Sequence, residues 1–347
     1  MITVAAGDHS TAGWRLNVAA DVVTVTSLQQ PITLHPVRRI TREEFRAITG
    51  TVTAAKHAAA DTIEQPAEPA PVNAATLLER LTVPSGPPHD ADVLPDDLVI
   101  VRLLGPVSIE TPTGVTVPPG HTTEAIAYLA CHRDGPGVST DRMIDILWNG
   151  RAVHRQRLVE VISRARQAIG GTDRIPRRAN GRGYHVTDTV VTDIELLCWW
   201  IRHAQGDPEG LREHLGAALS LITGRPFSDV DWIWATLEGL DTAAVATICD
   251  VATVLGQWCL DHDDPAGALH AAQQARQAAP ESEQLARLRM RAHYQRGDLD
   301  RLRAVMNELR AAADADMGPD GDDQLHPDTV ALYQSLITQR APAARTS

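Results

Sequence analysis

The chain is short of cysteine, lysine and long apolar runs, and each shortage narrows the class of protein. Four cysteines in 347 residues form no C-x-x-C pair, so neither a disulfide framework nor a zinc site is indicated. Apolar runs such as residues 251–255 fall far short of the roughly 20 residues of a membrane-spanning helix. The N-terminus lacks the charged-then-apolar layout of a secretory signal. We therefore expect a cytoplasmic protein that has no membrane partner.

All four cysteines lie inside apolar helical patterns, where cysteine usually behaves as a small buried hydrophobic residue. The four are Cys131, Cys198, Cys249 and Cys259.

Charge is distributed unevenly along the chain. The net charge of −12 would by itself argue against a nucleic-acid partner, because phosphate affinity comes largely from cationic side chains. Lys56 is the only lysine, so arginine supplies nearly all positive charge. Between residues 151 and 182, nine arginines stand against Glu160 and Asp173, a local charge of +7 that leaves −19 for the rest of the chain. This cluster is typical of a nucleic-acid-binding surface.

The N-terminal quarter divides into two segments. Residues 1–50 form a small β-rich unit of no assigned function, with strands predicted at 14–18, 22–28 and 32–35 and a short helix at 41–48. Residues 51–95 are rich in alanine and proline and form a predicted linker. A short helix predicted at 74–81 within this linker is either a docking element or transient.

Residues 96–190 show the element order of a winged helix. Strands are predicted at 98–104, 107–110 and 115–117, and helices at 122–132, 140–148 and 154–169. A hairpin of 174–178 with 184–186 follows, around the glycine-containing turn 179–183.

Residues 191–340 form a predicted all-helical segment, which makes the whole chain a multidomain α+β protein. Breaks at 206–208, 263–265 and 296–298 separate the helices, and Asp264 and Asp298 are 34 residues apart. That spacing is the period of tetratricopeptide (TPR) repeats. Asp207 does not fit a multiple of it, so we expect an irregular array.

The helix at 154–169 carries the chemistry that points to DNA. Leu158, Ile162, Ala165 and Ile169 form one apolar stripe at helical spacing. A helix of this width fits the major groove, where arginine can bond guanine edges and serine can hold phosphate. The alternative is that this charged side of the helix is an ordinary solvent-exposed surface that contacts no DNA. The side chains predicted off the stripe are Arg155, Arg157, Glu160, Ser163, Arg164, Arg166 and Gln167.

At this point the sequence resembles the SARP-type bacterial transcriptional activators. Their OmpR-type winged helix is joined to a bacterial transcriptional activator domain (BTAD) of TPR-like helices. The resemblance covers about residues 98–337 and rests on segments in the family's order. They are VRLLGPV at 101–107, VSTDRMIDILW at 138–148, ISRARQAIG at 162–170, GRGYH at 181–185, ALSLITGRP at 218–226, MGP at 317–319 and LY at 332–333.

The resemblance implies a set of DNA-contacting residues. It places Arg182 at a wing tip that enters the minor groove, whose negative potential attracts arginine. The implied contact face of the recognition helix is Arg157, Glu160, Val161, Ser163 and Arg164, and Arg155 and Arg178 complete the predicted DNA-binding set. Trp148 and Tyr184 are expected to pack in the core.

The chain departs from the family at two of these positions. Ala165 stands where the family usually has leucine, and Glu160 puts a carboxylate on a face that approaches phosphate.

Two clusters could suggest other chemistry. The aspartates at 314–323 lack the central glycine and terminal glutamate of a calcium loop in any register. His262, Asp263 and Asp264 occupy a helix-to-helix turn without a nucleophile or phosphate loop nearby in sequence. We therefore expect no metal, no cofactor and no enzymatic activity.

The leading hypothesis is a sequence-specific transcription regulator, and the resemblance implies that it is an activator. Its partners would be double-stranded DNA and either RNA polymerase or a second copy of the chain. The alternative is a TPR-like interaction scaffold whose winged helix has lost DNA binding; a face broken by Glu160 or Asp173 would favour it.

Overall fold

The computed structural model describes side chains for residues 73–81, 97–151, 153–177, 183–313 and 325–338. It also describes the backbone of the helix that continues to residue 317 and of four strands within the first 34 residues. The chain divides into two compact units, Met1–Pro71 and Val72–Ser347.

The first unit contains an antiparallel sheet of four strands in chain order. The three predicted strands are present, and a two-residue strand precedes them. The predicted helix at 41–48 lies outside the described residues. The strands are β1 (Ile2–Thr3), β2 (Arg15–Ala19), β3 (Val22–Ser27) and β4 (Gln30–Leu34).

The second unit begins with the helix predicted inside the linker, α1 (Ala74–Arg80). Asn73 caps it by accepting a hydrogen bond from the Thr76 amide at 2.9 Å. Leu78 and Leu81 are buried in the core of the helical part of the chain. Gln205 donates to the carbonyl oxygens of both leucines. This part of the predicted linker is therefore a docked element.

A small sheet opens the region that we call the α/β segment, residues 97–192. Its strand order is β7-β6-β5-β8, and β8 pairs parallel to β5. The sequence predicted the first three strands and missed β8. The strands are β5 (Val99–Arg102), β6 (Ser108–Thr111), β7 (Gly114–Thr116) and β8 (Val190–Thr192).

Three helices follow: α2 (His121–Cys131), α3 (Thr140–Trp148) and α4 (Arg155–Ile169). Each begins and ends within one residue of its predicted bounds. Helix α2 contacts strands β5 and β8 and packs against both of the other helices. Helix α2 is buried on every side from residue 122 to 130, because its sequence has almost no charged face. It is the central helix of the segment.

The predicted hairpin differs from the observed pairing. Residues 174–177 form a turn and coil, and Tyr184 pairs with Val138 instead, through two backbone hydrogen bonds of 2.7 Å. Residues 174–177 are joined to the segment after Tyr184 by a backbone hydrogen bond from the Thr187 amide to the Arg174 carbonyl at 2.9 Å. Val138, two residues before α3, is therefore the partner of Tyr184 in place of the predicted residues 174–178.

The helical segment, residues 193–338, follows. Asp264 and Asp298 both cap helices through backbone amides, so the two breaks predicted as equivalent do begin their helices in the same way. The described helices are α5 (Asp193–Gly206), α6 (Leu211–Ser220), α7 (Ile233–Leu237), α8 (Leu240–Asp261), α9 (Pro265–Arg276), α10 (Glu283–Gln295), α11 (Leu299–Met317) and α12 (Pro327–Thr338).

Helix α8 is the one described helix that is long and apolar enough to cross a membrane by composition. Ten of its 22 residues are buried, and α9 and α10 pack beside it. Its apolar character is that of a core helix.

The α/β and helical segments share their cores. Phe227 and Trp234, which follow α6, are buried among residues of the α/β segment rather than of the helical one. The Phe227 amide donates to the Leu103 carbonyl at 2.9 Å, and the Thr223 amide donates to the Leu104 carbonyl at 2.8 Å. The chain therefore returns to the sheet before it builds the remaining helices.

Candidate nucleic-acid interface

Helix α4 is anchored by the predicted apolar stripe. Leu158, Ile162, Ala165 and Ile169 are all 1% exposed or less. Because these side chains fix one side of the helix in the core, its opposite side faces outward as a rigid surface.

Val161 corrects one predicted contact. Its side chain is 5% exposed and packs in the core of the α/β segment. The reason is helical spacing, since Val161 lies three residues after Leu158 and four before Ala165. It widens the buried stripe, so it does not belong to the contact face implied by the resemblance.

Four of the five residues of the implied contact face do lie on the exposed side of α4: Arg157, Glu160, Ser163 and Arg164. Arg157 and Arg164 are seven residues apart, two helical turns, and so lie along the same edge. Neither side chain makes a hydrogen bond or ion pair with another residue of the described part of the chain. Glu160 lies between them along that edge, one turn from each.

Other arginines of the basic cluster are bound to the protein. Arg155 pairs with Asp141 of α3 at 3.1 Å, with both side chains at least 75% exposed. Arg166 donates to the carbonyl oxygens of Ile175 and Pro176 at 2.8 and 2.9 Å. These two bonds make Arg166 an anchor for the loop after α4 rather than part of a contact face.

The turn between α3 and α4 is set by a left-handed residue. Asn149 has φ of 50°, which ends α3, and the Gly150 amide donates back to the Asp145 carbonyl at 3.0 Å. Helix α4 then begins after His154, with no side-chain cap and no acidic residue in its first turn. The positive end of the α4 dipole is therefore not neutralised by either means.

The region of the predicted wing is described only at its base. Gly183 lies against Gly137 and Val138, and Tyr184 is buried beside them, as predicted for Tyr184. Trp148 is partly buried against the same core. Arg178 and Arg182 lie outside the described residues.

Sequence analysis missed one exposed apolar residue on α4. Val159 is 51% exposed, next to the buried Leu158. The signal was available, because Val159 lies one turn before Ser163 and helical spacing therefore places it on the exposed side.

Several contacts couple the α2–α3 pair to the residues around α7. The Trp234 indole donates to the Glu124 carboxylate at 3.3 Å, and His121 contacts the other oxygen of Glu124 at 3.1 Å. Burial raises the pKa of Glu124. Arg142 of α3 bonds the Tyr128 hydroxyl at 3.1 Å. The position of α3, which precedes α4, is thus linked to the helical segment.

Within the described residues, no group of three or more histidine, cysteine, aspartate or glutamate side chains could hold a metal ion. The aspartate side chains at 314–323 lie outside the described residues.

Comparison with known proteins shows that the fold of this chain is similar to that of a solved structure. No protein-family model and no curated protein sequence matches the chain. Its structure is similar to that of EmbR from Mycobacterium tuberculosis in complex with a low-affinity phosphopeptide, with a TM-score of 0.53 and 19% sequence identity. The similarity covers 71% of this chain and 66%, just under two thirds, of that chain. The two proteins therefore share a fold over most of the present chain.

Proposed function

We propose that this protein is a sequence-specific DNA-binding transcription regulator of the SARP type. In this proposal residues 96–190 are a winged helix and residues 191–340 are a TPR-like activator domain. The observation that carries it is the exposed side of α4, where Arg157 and Arg164 lie two turns apart with no partner among the described residues. The similarity of fold to EmbR over 71% of this chain supports the assignment of the fold.

Helix α4 would enter the major groove with its exposed side. Arg157 and Arg164 can each bond a guanine edge or a phosphate, and Ser163 can donate to either. Val159 gives this surface an apolar contact for a thymine methyl group. The first turn of α4, without a side-chain cap or a carboxylate, suits a backbone phosphate.

Glu160 interrupts the basic edge between Arg157 and Arg164, which is the feature that favours the interaction scaffold, and in the DNA-binding proposal it sets the character of the interface. Its carboxylate can accept a hydrogen bond from cytosine N4 but repels phosphate. Because Arg155 and Arg166 already have protein partners, few free guanidinium groups offset that repulsion. We expect selective DNA binding with a modest non-specific component.

The helical segment would carry regulation. Its shared core with the α/β segment gives a partner bound there a physical route to α3. RNA polymerase or a second copy of the chain is the partner that we propose, in the cytoplasm. The phosphopeptide in the EmbR complex supports a protein partner for this chain also.

Binding of genomic fragments by the purified full chain, followed by sequencing at a stated salt concentration, tests the proposal. Enrichment of a repeated motif is expected. A double variant, Arg157→Ala with Arg164→Ala, should lose that enrichment. Arg303→Ala is the matched control, because Arg303 is an exposed arginine of α11 that pairs with Asp300 on its own helix. Absence of any enriched motif in the wild type would favour the interaction scaffold.

A further inference from the structure

A second cationic surface lies in the helical segment, away from the basic cluster of the sequence. Helices α10 and α11 border an open cleft of about 340 Å³. Its lining combines three arginines with a histidine and two carboxylates: Arg289, Arg296, Arg301, His293, Asp298 and Glu308. The DNA-binding proposal gives this cleft no role.

Some charged side chains of the cleft are bound to other residues of the protein, and two arginine side chains have no such partner among the described residues. Glu308 accepts a hydrogen bond from Arg289 at 2.8 Å and lies 3.6 Å from Arg276, so two guanidinium groups already neutralise it. Asp298 caps α11 by accepting from the Arg301 amide at 3.0 Å. The guanidinium groups of Arg296 and Arg301 make no hydrogen bond or ion pair within the described residues.

His293 lines the same cleft. Its Nδ1 atom is buried and has no hydrogen-bond partner among the described residues. Burial lowers the pKa of His293, and Arg289, Arg296 and Arg301 lower it further, whereas Asp298 acts in the opposite direction. Three guanidinium groups therefore act on the imidazole, and a bound anion would offset their charge.

The geometry points to a binding site for the phosphoryl group of a small molecule, between α10 and α11. Arg296 and Arg301 would supply guanidinium donors from either side of the α10–α11 turn, and His293 would supply an imidazole donor. A phosphoryl group presents three strongly accepting oxygens, one more than a carboxylate, to these three side chains. The volume of the cleft is in the range of small-molecule sites. The site would give the regulator an effector and does not depend on DNA binding.

Nuclear magnetic resonance of histidine-labelled full-length protein tests the site directly. Inorganic phosphate and pyrophosphate are the probes, and succinate is the dianionic comparator. Phosphate or pyrophosphate should shift the His293 signal saturably and raise the pKa of His293, which faces Arg289, Arg296, Arg301, Asp298 and Glu308. A response to succinate of equal affinity would overturn the assignment to phosphoryl groups, as would a His293 signal unmoved by both phosphates.

Variants distinguish a specific phosphate-binding site from general electrostatic attraction of anions. Arg296→Ala combined with Arg301→Ala should weaken phosphate binding by about tenfold or more, because two charged donors are lost. Both positions are exposed, so the fold should be retained. Arg303→Ala, on the same helix, should bind phosphate as the wild type does. Equal weakening by Arg303→Ala would overturn the proposal.

Discussion

Asp193 accepts a hydrogen bond from the Leu103 amide at 2.8 Å, and this contact joins the first residue of the helical segment to the end of strand β5. The second carboxylate oxygen accepts from the Leu104 amide at 3.0 Å. Asp193 is 1% exposed. One buried carboxyl group thus satisfies two backbone donors where the sheet meets the helices. Its removal should therefore destabilise both segments.

Asp193→Asn should lower the free energy of unfolding by about 1–3 kcal/mol, because an amide offers one oxygen and leaves the second backbone donor facing an NH₂ group. Chemical denaturation of the full chain measures the difference. A stability unchanged from wild type would show that these two hydrogen bonds contribute little.

The same variant should change the pH dependence of stability. Burial raises the pKa of Asp193 to about 7, so the folded state holds a proton that the unfolded state has lost above pH ~4. The stabilisation that Asp193 contributes is full below pH ~4 and declines as the pH rises through about 7. The stability gap between wild type and Asp193→Asn should therefore narrow between pH 5 and pH 8. A gap that is constant or widens contradicts the raised pKa.

Trp234 and Arg142 should contribute differently to stability, although both join the α2–α3 pair to the residues around α7. Trp234 is 3% exposed and packs edge-on against Tyr128 at 5.0 Å, so Trp234→Ala should cost about 3–5 kcal/mol. The Arg142 side chain is 54% exposed and its ion pair with Glu238 spans 3.4 Å, so Arg142→Ala should cost at most about 1 kcal/mol. Thermal unfolding of the two variants measures these losses of stability. Comparable losses would mean that the surface contacts stabilise the protein as much as the shared core does.

Gly183 should tolerate no side chain. A Cβ atom there would lie 2.5 Å from the backbone N and O of Val138, within the pairing that positions Tyr184. Gly183→Ala should destabilise the protein by about 1–3 kcal/mol. Gly216 in helix α6 is the control, because nothing lies within 4 Å of its Cβ position and Gly216→Ala should stabilise by about 0.5–1 kcal/mol. Equal effects of the two variants would rule out the close approach at Gly183.

Local patterns predicted most of the helices and strands, because their periodicity and caps are local. Contacts between distant parts of the chain were not predictable in this way. Strand β8 has three residues and a parallel partner about 90 positions earlier, and Phe227 and Trp234 pack on the α/β segment across a comparable separation. Neither pairing leaves a periodic signal in the sequence.

The candidate interface was predictable in part, because helical periodicity is a local property of the sequence. Periodicity identified the exposed side of α4, including Arg157 and Arg164. The family resemblance, and not the periodicity, placed Val161 on the contact face; its side chain is buried because helical spacing brings it beside the apolar stripe. The binding of Arg166 to carbonyl oxygens nine and ten residues later depends on the loop that follows, which no helical pattern encodes.

A competition titration at Arg164 tests the central claim most directly, with the motif enriched from genomic fragments and a scrambled duplex as competitors. If Arg164 contacts a base edge, Arg164→Ala should weaken motif binding by about 1–3 kcal/mol and barely change binding to the scrambled duplex, while Arg303→Ala changes neither. Equal weakening on both duplexes would make Arg164 a phosphate contact. Binding of both duplexes at wild-type affinity by Arg164→Ala would contradict the placement of α4 in the major groove.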